Sequence, residues 1–306
     1  MRIGLFFLGE TGGLDALVQQ AKDAERDGFA TAWFPQIFAY DALTVIALAG
    51  QQTSRIELGT AVVPVYPRHP FALAQQALTV QAATGGRLAL GIGLSHAPVV
   101  EGMWGLSYEH PARYMREYLG VLAPLLREGR VRFNGEVFRV TGGIQAEGAT
   151  PPTLLIAALA PAMLRIAGTV ADGTITWMTG VKTIETHVVP RIAAAAKEAG
   201  RPQPRVCVGV PIAVTDDPAG ARERAAQIFQ IYGQLPNYRR MLDKEGAEGP
   251  AGVAIVGNEA EVEQQLRALA AAGATDLVAN VFPAGDDAAA SFARTGALLK
   301  GLIGKV

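Results

Sequence analysis

Residues 58–70 read LGTAVVPVYPRHP and begin as an apolar, β-branched run suited to the centre of a sheet. Prolines follow at positions 64, 67 and 70. Because proline has no N–H to donate to a sheet, the strand is predicted to end near Val63. Pro70 fits the first turn of a helix, so a new element is expected directly after Arg68 and His69. The stretch therefore predicts a buried strand, a rigid connection and a helix.

Seven further apolar runs of strand length are spread along the chain, and most are followed by an amphipathic helical pattern. The eight predicted strands cover residues 2–8, 30–34, 56–63, 87–93, 153–159, 173–178, 206–214 and 276–282. They are continuously apolar, as in a parallel sheet covered by helices. Eight such units in 306 residues predict an α/β fold, a (β/α)8 TIM barrel, in one domain over residues 1–306. An open doubly wound sheet is the alternative, because periodicity does not reveal closure.

Two segments are longer than a barrel needs, and both follow predicted strands. Residues 94–112 form a long loop after the fourth strand, and residues 216–252 form a partly helical insertion after the seventh. Since barrel enzymes build their active sites at the C-terminal ends of strands, we expect these insertions to act as lids or pocket walls. Residues 129–152 are predicted to contain a hairpin that turns at Asn134-Gly135.

The composition describes a compact globular protein, with 50% hydrophobic and 18% charged residues. The net charge of −1 gives no electrostatic footprint for nucleic acid or an anionic membrane. No apolar run approaches the ~20 residues of a membrane span, and the N-terminus lacks a signal-peptide pattern, so a cytoplasmic protein is expected. Cys207 is interpreted as a buried core thiol, and the four histidines lack metal-ligand spacing, so no metal site is predicted.

Two motifs at strand ends have a functional interpretation and a structural one. GIG at 91–93 is followed by Leu94-Ser95-His96 rather than by a helix, so it is not a dinucleotide-binding loop. It indicates either close approach of a ligand or tight packing. LIAALAPAML at 155–164 joins a strand to a helix with Pro161 at the first helical position. That helix start is either an anion site or an ordinary tight turn.

Taken in order, several segments resemble one family along nearly the whole chain. They are LGTAVVPVYPRHP, FALAQQALTVQAATGGRLALGIG (71–93), RYMREYLGVLAPLL (113–126), IAALAPAMLRIAGTVADGTITWMTG (156–180) and GNEAEVEQQLRALAAAGATDLV (257–278). The family is the bacterial luciferase-like superfamily, specifically its coenzyme F420-dependent oxidoreductase branch. The resemblance implies a TIM barrel, usually a homodimer, that holds a flavin-like cofactor at the strand C-termini.

The resemblance also implies roles for particular positions. A non-prolyl cis peptide at Ala61–Val62 would support the cofactor ring, and Gly93, Leu94 and Ser95 would flank it. The phosphoribityl chain of the cofactor would contact the backbone of Ala157, Ala158, Leu159 and Ala160. Thr179 and Gly180 would lie near the same chain.

The chain departs from the sugar-phosphate dehydrogenases of this branch at two catalytic positions. Their Asp-His pair after the second strand is replaced by Pro35-Gln36, and their glutamate in the fourth-strand loop is replaced by His96. Gln36 cannot act as a base at neutral pH, although it can hydrogen-bond cofactor or substrate. The phosphate-binding lysine is also displaced, since Val181 follows Gly180 and Lys182 comes next. Sugar phosphate is therefore not the expected substrate.

These observations predict a reductase that passes hydride from reduced F420 to an activated C=C, C=N or carbonyl group of a small organic molecule. His96 is the candidate proton donor, because its ordinary pKa suits transfer near neutral pH; a loop histidine that fixes the backbone is the alternative. Tyr66, Trp104 and Trp177 are candidates for the substrate wall. Two other functions stay open: an FMN-dependent two-component monooxygenase of the same superfamily, and a non-catalytic barrel that binds a flavin or another ligand.

Overall fold

The computed structural model describes residues 1–8 and 12–306, and its centre is a closed ring of eight parallel strands. Each strand pairs with the next along the chain, and the last pairs with the first. The strands are β1 (Arg2–Phe6), β2 (Thr31–Phe34), β3 (Glu57–Thr60), β4 (Leu88–Gly93), β5 (Thr153–Ala157), β6 (Gly173–Trp177), β7 (Arg205–Val214) and β8 (Asp276–Val281). The predicted TIM barrel is confirmed, and the open sheet is excluded because β8 closes onto β1.

Helices cover the outside of the ring and fill the two insertions. They are α1 (Gly13–Asp27), α2 (Ala42–Gln52), α3 (Pro70–Ala83), α4 (Ala97–Gly102), α5 (Pro111–Glu128), α6 (Pro161–Val170), α7 (Val181–Thr183), α8 (Val189–Glu198), α9 (Pro218–Ile228), α10 (Gln230–Gln234), α11 (Pro236–Glu245), α12 (Glu259–Ala271) and α13 (Ala288–Gly301). A π-helical turn, Ile184–Val188, joins α7 to α8, and a 3₁₀ turn, Pro250–Val253, precedes a short strand, Ile255–Gly257, that pairs with the end of β7.

The predicted hairpin is present, but its turn is not at Asn134-Gly135. Strands Arg130–Asn134 and Arg139–Gly143 are antiparallel, and Asn134 itself pairs with Arg139. The connection is therefore the four residues 135–138. Glu117 on α5 shapes this loop, because its carboxylate accepts hydrogen bonds from the backbone N–H groups of residues 136, 137 and 138 at 3.1, 2.8 and 3.1 Å.

The lower part of the barrel is filled by side chains. Trp33 is fully buried there, in a cluster with Ala89, Leu155, Cys207 and neighbouring apolar residues. Glycines make room for the indole, since a Cβ on Gly59 would lie 2.3 Å from its ring carbons. Cys207 is a buried core thiol, as predicted, and burial raises its pKa well above the usual range.

An ion-pair network closes the N-terminal end of the barrel. The guanidinium of Arg205 lies 2.6 Å from Asp276 Oδ1 and 2.9 Å from Glu57 Oε1, and the Asp276 side chain is 2% exposed. Burial alone would lower the pKa of Arg205, but hydrogen bonds to Glu57 and Asp276 raise it. These paired side chains fill the N-terminal end of the barrel. A cavity is therefore expected at the opposite, C-terminal end.

The two insertions lie at that C-terminal end, where the sequence places them. The segment after β4 contains α4, and the segment after β7 contains α9, α10 and α11. In the part of the chain that the structure describes, no helix combines the length and apolarity needed to cross a bilayer.

Candidate active site

A cavity of about 640 Å³ opens at the C-terminal ends of the strands. This volume lies within the range of small-molecule and cofactor sites. Most of the predicted site residues line it, namely Gln36, Ala61, Val62, Gly93, Leu94, Ser95, His96, Trp104, Ala157, Ala158, Leu159, Ala160 and Trp177. Tyr66, Thr179 and Gly180 are not among the lining residues.

One side of the cavity is a wall of small residues contributed by β3, β4 and β5. We call Ala61, Val62, Gly93, Ala157 and Ala158 the small-residue wall, and all five line the cavity. The predicted cis peptide is present between Ala61 and Val62, where it separates β3 from a two-residue continuation, Val63–Pro64. A wall without large side chains allows a flat molecule to approach the backbone closely.

The two glycines of GIG have different roles in this wall. Gly91 is a packing requirement, because its Cβ would lie 2.1 Å from the backbone oxygen of Thr60. The Thr60 hydroxyl fixes the same place, donating to Gly91 O at 2.7 Å and accepting from Gly91 N at 2.8 Å. Gly93 borders the cavity, and a Cβ there would lie 2.7 Å from Val62 Cγ2. Both glycines therefore meet a packing requirement, and close approach of a ligand at Gly93 stays a prediction.

The start of α6 lies at the edge of the cavity. Ala160 is its N-cap, has extended backbone, and makes no side-chain cap hydrogen bond. Pro161 occupies the first helical position, and Ala162 and Met163 of the first turn also line the cavity. The N–H groups of a first helical turn have no partner inside the helix, and the helix dipole favours negative charge there. This arrangement can hold an anion such as a phosphate.

His187 supports the same loop from behind, and sequence reasoning missed it. It lies on the π-helical turn, is 3% exposed, and places Nε2 2.7 Å from the carbonyl oxygen of Leu159. Burial lowers its pKa, so the neutral ring with Nε2–H donating is the form that fits. The sequence gives no local signal for this contact, because 28 residues separate the partners.

Glu245 of α11 packs against the loop that contains Thr179 and Gly180. The carboxylate of Glu245 accepts hydrogen bonds from Lys182 N at 3.1 Å and Thr183 N at 2.8 Å. It lies so close to Gly180 that a Cβ there would be 2.5 Å from Oε1. A carboxylate of the chain itself therefore occupies the backbone donors that a ligand anion would need at this loop.

Tyr66 is buried behind the cavity rather than in its wall. Its ring is stacked on Tyr114 at 4.1 Å between centroids and lies 5.4 Å from Tyr108. Tyr108 lines the cavity in its place, and its hydroxyl donates to Ser95 O at 3.1 Å. Burial raises the pKa of Tyr108, so its phenol stays protonated at neutral pH.

His96 borders the cavity at the start of α4. It is the N-cap residue of that helix, and the chain reaches it through Ser95, whose φ is 61°. Its ring centroid lies 5.4 Å from that of Tyr238 on α11. Burial lowers the pKa of His96, so the neutral imidazole predominates at pH 7. Gln36 is partly engaged in structure, because its Oε1 accepts from Ala42 N at 3.1 Å.

A series of aromatic residues also lines the cavity. Phe6 and Trp177 are stacked at 5.8 Å, Trp177 is 5.7 Å from Tyr232, and Tyr232 is 5.3 Å from Tyr238. We call Phe6, Trp177, Tyr232, Tyr238 and His96 the aromatic belt. Only Trp177 and His96 were predicted from the sequence. The signal for the others was their position, at the end of β1 and inside the insertion after β7.

Two buried polar atoms belong to residues of the cavity lining. Thr176 Oγ1 and Trp177 Nε1 have no hydrogen-bond partner among the described residues. Four further buried polar atoms, on residues outside the lining, are unpaired as well, so these two atoms do not by themselves indicate a ligand. Across residues 1–8 and 12–306, no group of three or more His, Cys, Asp or Glu side chains is arranged to hold a metal ion.

Comparisons with known proteins place these features in a family. Residues 1–276 match the family model described as luciferase-like monooxygenase. An uncharacterised protein of Mycobacterium tuberculosis is 31% identical over 256 residues, which cover 77% of this chain and 74% of that protein. The 5,10-methylenetetrahydromethanopterin reductase of Methanolobus tindarius is 29% identical over 271 residues, covering 87% and 81%.

A solved structure has the same fold over the whole chain. The coenzyme F420-dependent tetrahydromethanopterin reductase of Methanopyrus kandleri superimposes with a TM-score of 0.81, covering 100% of this chain and 98% of that one. The two sequences are 23% identical, so the likeness establishes the fold alone.

Proposed function

Because the chain belongs to the luciferase-like monooxygenase family, we propose that it is an F420-dependent oxidoreductase acting as a reductase on a small organic substrate. Hydride would pass from reduced F420 to an activated C=C, C=N or carbonyl group. The observation that carries the proposal is the small-residue wall at the C-terminal end of a closed barrel, with an uncapped helix start beside it. The F420-dependent reductases among the similar proteins support this cofactor rather than another flavin.

The residues present fit a deazaflavin. The small side chains of Ala61 and Val62 leave room for a flat ring, and Gly93 adds no side chain beside them. The first turn of α6 would hold the phosphate, with Leu159 and Ala160 beside the ribityl chain. Thr179 and Gly180 stay proposed neighbours of the phosphoribityl chain, although Glu245 already accepts hydrogen bonds from the backbone that follows them.

When bound, reduced F420 would supply a hydride, which is one proton with two electrons, to the carbon of the acceptor double bond. The other atom of that bond then needs a proton, and His96 is the proposed donor. Its lowered pKa makes the imidazolium a stronger acid than an exposed histidine, so the proton leaves readily once charge develops beside it. Gln36 would hydrogen-bond cofactor or substrate, and Trp104 and Trp177 would form part of the substrate wall.

A second candidate function is an FMN-dependent two-component monooxygenase, which the description of the matched family favours. The same wall and helix start would hold FMN, and oxygen with a partner flavin reductase would then be required. A cytoplasmic homodimer also remains a proposal, which light scattering of the purified protein and cell fractionation would test.

The test is an anaerobic reaction of the purified protein with reduced F420 and a panel of activated enones, imines and ketones. The proposal expects oxidised F420 to reappear with a reduced product and without oxygen. Product formation that requires oxygen and reduced FMN, with no oxidation of F420 in any reaction, would favour the monooxygenase. His96→Ala then tests the donor: turnover equal to that of the wild type would remove His96 from this role.

A further inference from the structure

The aromatic belt and the small-residue wall line the same cavity but come mainly from different elements. The small-residue wall lies at the ends of β3, β4 and β5. The aromatic belt begins on β1 and β6, continues through the insertion after β7, and ends at His96, which follows β4. A flat ring held against the small-residue wall would therefore share the cavity with the belt.

The belt is continuous and rich in electrons. Neighbouring ring centroids along it are separated by 5.3 to 5.8 Å, within the range of favourable aromatic contacts. Phe6 and Trp177 are stacked, whereas the other neighbouring rings meet at 55° to 86°, so the belt presents both ring faces and ring edges, which suit an aromatic or conjugated partner better than a saturated one. An electron-poor double bond is also what accepts hydride. The same surface therefore suits a conjugated acceptor.

The charge of the lining points to an anion. No described lining residue is an aspartate, glutamate or lysine, and Arg240 on α11 is the arginine among them. Its guanidinium donates to the neutral amide oxygen of Asn237, and no carboxylate lies within 4.0 Å of it among the described side chains. An arginine without an acidic partner beside an acid-free cavity attracts a carboxylate, to which its planar fork is suited.

We propose that the substrate of this site is a flat, conjugated, electron-poor molecule that carries one carboxylate, with its ring system on the aromatic belt and the carboxylate at Arg240. This inference rests on the proposed function for the reaction itself. A hydride, which is one proton with two electrons, goes to the substrate carbon, a second proton goes to the adjoining atom, and reduced F420 is oxidised by two electrons. The ligand preference of the belt can be measured without that reaction.

The experiment titrates the full chain with four non-reacting probes while tryptophan fluorescence is followed. The probes are 2-naphthoate, 2-naphthol, cyclohexanecarboxylate and 2-naphthylmethylammonium. We expect 2-naphthoate to bind most tightly, 2-naphthol about tenfold more weakly, and the other two more weakly still. Tyr238→Leu should weaken both naphthyl ligands about threefold to tenfold, whereas Tyr40→Leu, at an exposed tyrosine outside the cavity lining, should change neither.

Arg240→Met tests the anionic contact, with Lys244→Met on the same helix as its matched control. Arg240→Met should bring 2-naphthoate to the affinity of 2-naphthol and leave 2-naphthol unchanged, while Lys244→Met should bind all probes like the wild type. Equal binding of cyclohexanecarboxylate and 2-naphthoate would overturn the flat-substrate inference. Loss of F420 affinity in Arg240→Met with unchanged 2-naphthoate binding would assign Arg240 to the cofactor and overturn the carboxylate. A wild-type protein that binds the naphthyl probes as expected but not F420 would refute the proposed function alone.

Discussion

Gly93→Ala adds one methyl group to the small-residue wall, at a place where the structure has no room for it. The new Cβ would lie 2.7 Å from Val62 Cγ2 and 3.2 Å from Ala157 Cβ. Val62 is β-branched and stiff at χ1, so it cannot swing aside and the wall itself must move. Overpacking of this kind costs about 1–3 kcal/mol of stability. Because the displaced atoms border the cavity, we expect F420 affinity to fall roughly tenfold, which corresponds to about 1.4 kcal/mol of binding free energy.

The measurement combines F420 titration by fluorescence with thermal unfolding of the same samples. Gly296→Ala is the matched control, because Gly296 lies inside α13 and a Cβ there meets nothing within 4 Å. That variant should bind F420 like the wild type and be unchanged or stabilised by up to about 1 kcal/mol. If Gly93→Ala bound F420 with wild-type affinity and unfolded at the wild-type temperature, the close-approach argument for this wall would be refuted.

Three further predictions follow from other contacts. With reduced F420 and an active acceptor, kcat should fall as pH rises through a pKa below 6.5, because burial lowers the pKa of His96 and its protonated form donates. A pH–rate profile checks this, and the decline of kcat with pH should be absent in His96→Ala. Arg205→Met should lower the unfolding free energy by about 1–3 kcal/mol in denaturant titrations, since it removes the hydrogen bonds of Arg205 to the buried Asp276 carboxylate and leaves Arg2, at 3.3 Å, as the cationic partner, whereas Arg267→Met, in an exposed pair with Glu263, should cost less than about 1 kcal/mol. His187→Phe should weaken F420 binding in a fluorescence titration, because it leaves Leu159 O without its donor at a cost of about 1–3 kcal/mol. His187→Gln, which keeps a donor, should recover part of the lost F420 affinity. Equal F420 affinity in both variants would contradict this positioning role.

The sequence predicts the barrel well because its strands are buried on both faces. Runs such as residues 87–93 and 206–214 are continuously apolar, and only a parallel sheet covered by helices buries them in that form. The positions along the small-residue wall were also predictable, including the cis peptide at Ala61–Val62, because the resemblance fixes backbone positions at strand ends.

The rest of the site depends on contacts between residues far apart in the chain. Glu245 packs against the loop of Thr179 and Gly180, and the backbone N–H that it accepts from, that of Lys182, lies 63 positions away. Glu117 reshapes the hairpin turn from 19 to 21 residues away, which overrides the local preference of Asn134-Gly135. Tyr232 and Tyr238 reach the cavity only because the insertion folds back over the barrel. Local pattern and propensity carry no information about such contacts.

The most direct test of the central claim is a parallel titration of the purified protein with F420 and with FMN, followed by the fluorescence of each cofactor. The account predicts saturable binding of F420, at least roughly tenfold tighter than any binding of FMN, a difference of about 1.4 kcal/mol. Tight binding of FMN with no measurable affinity for F420 would contradict it and would identify the chain as a flavin-dependent member of the family.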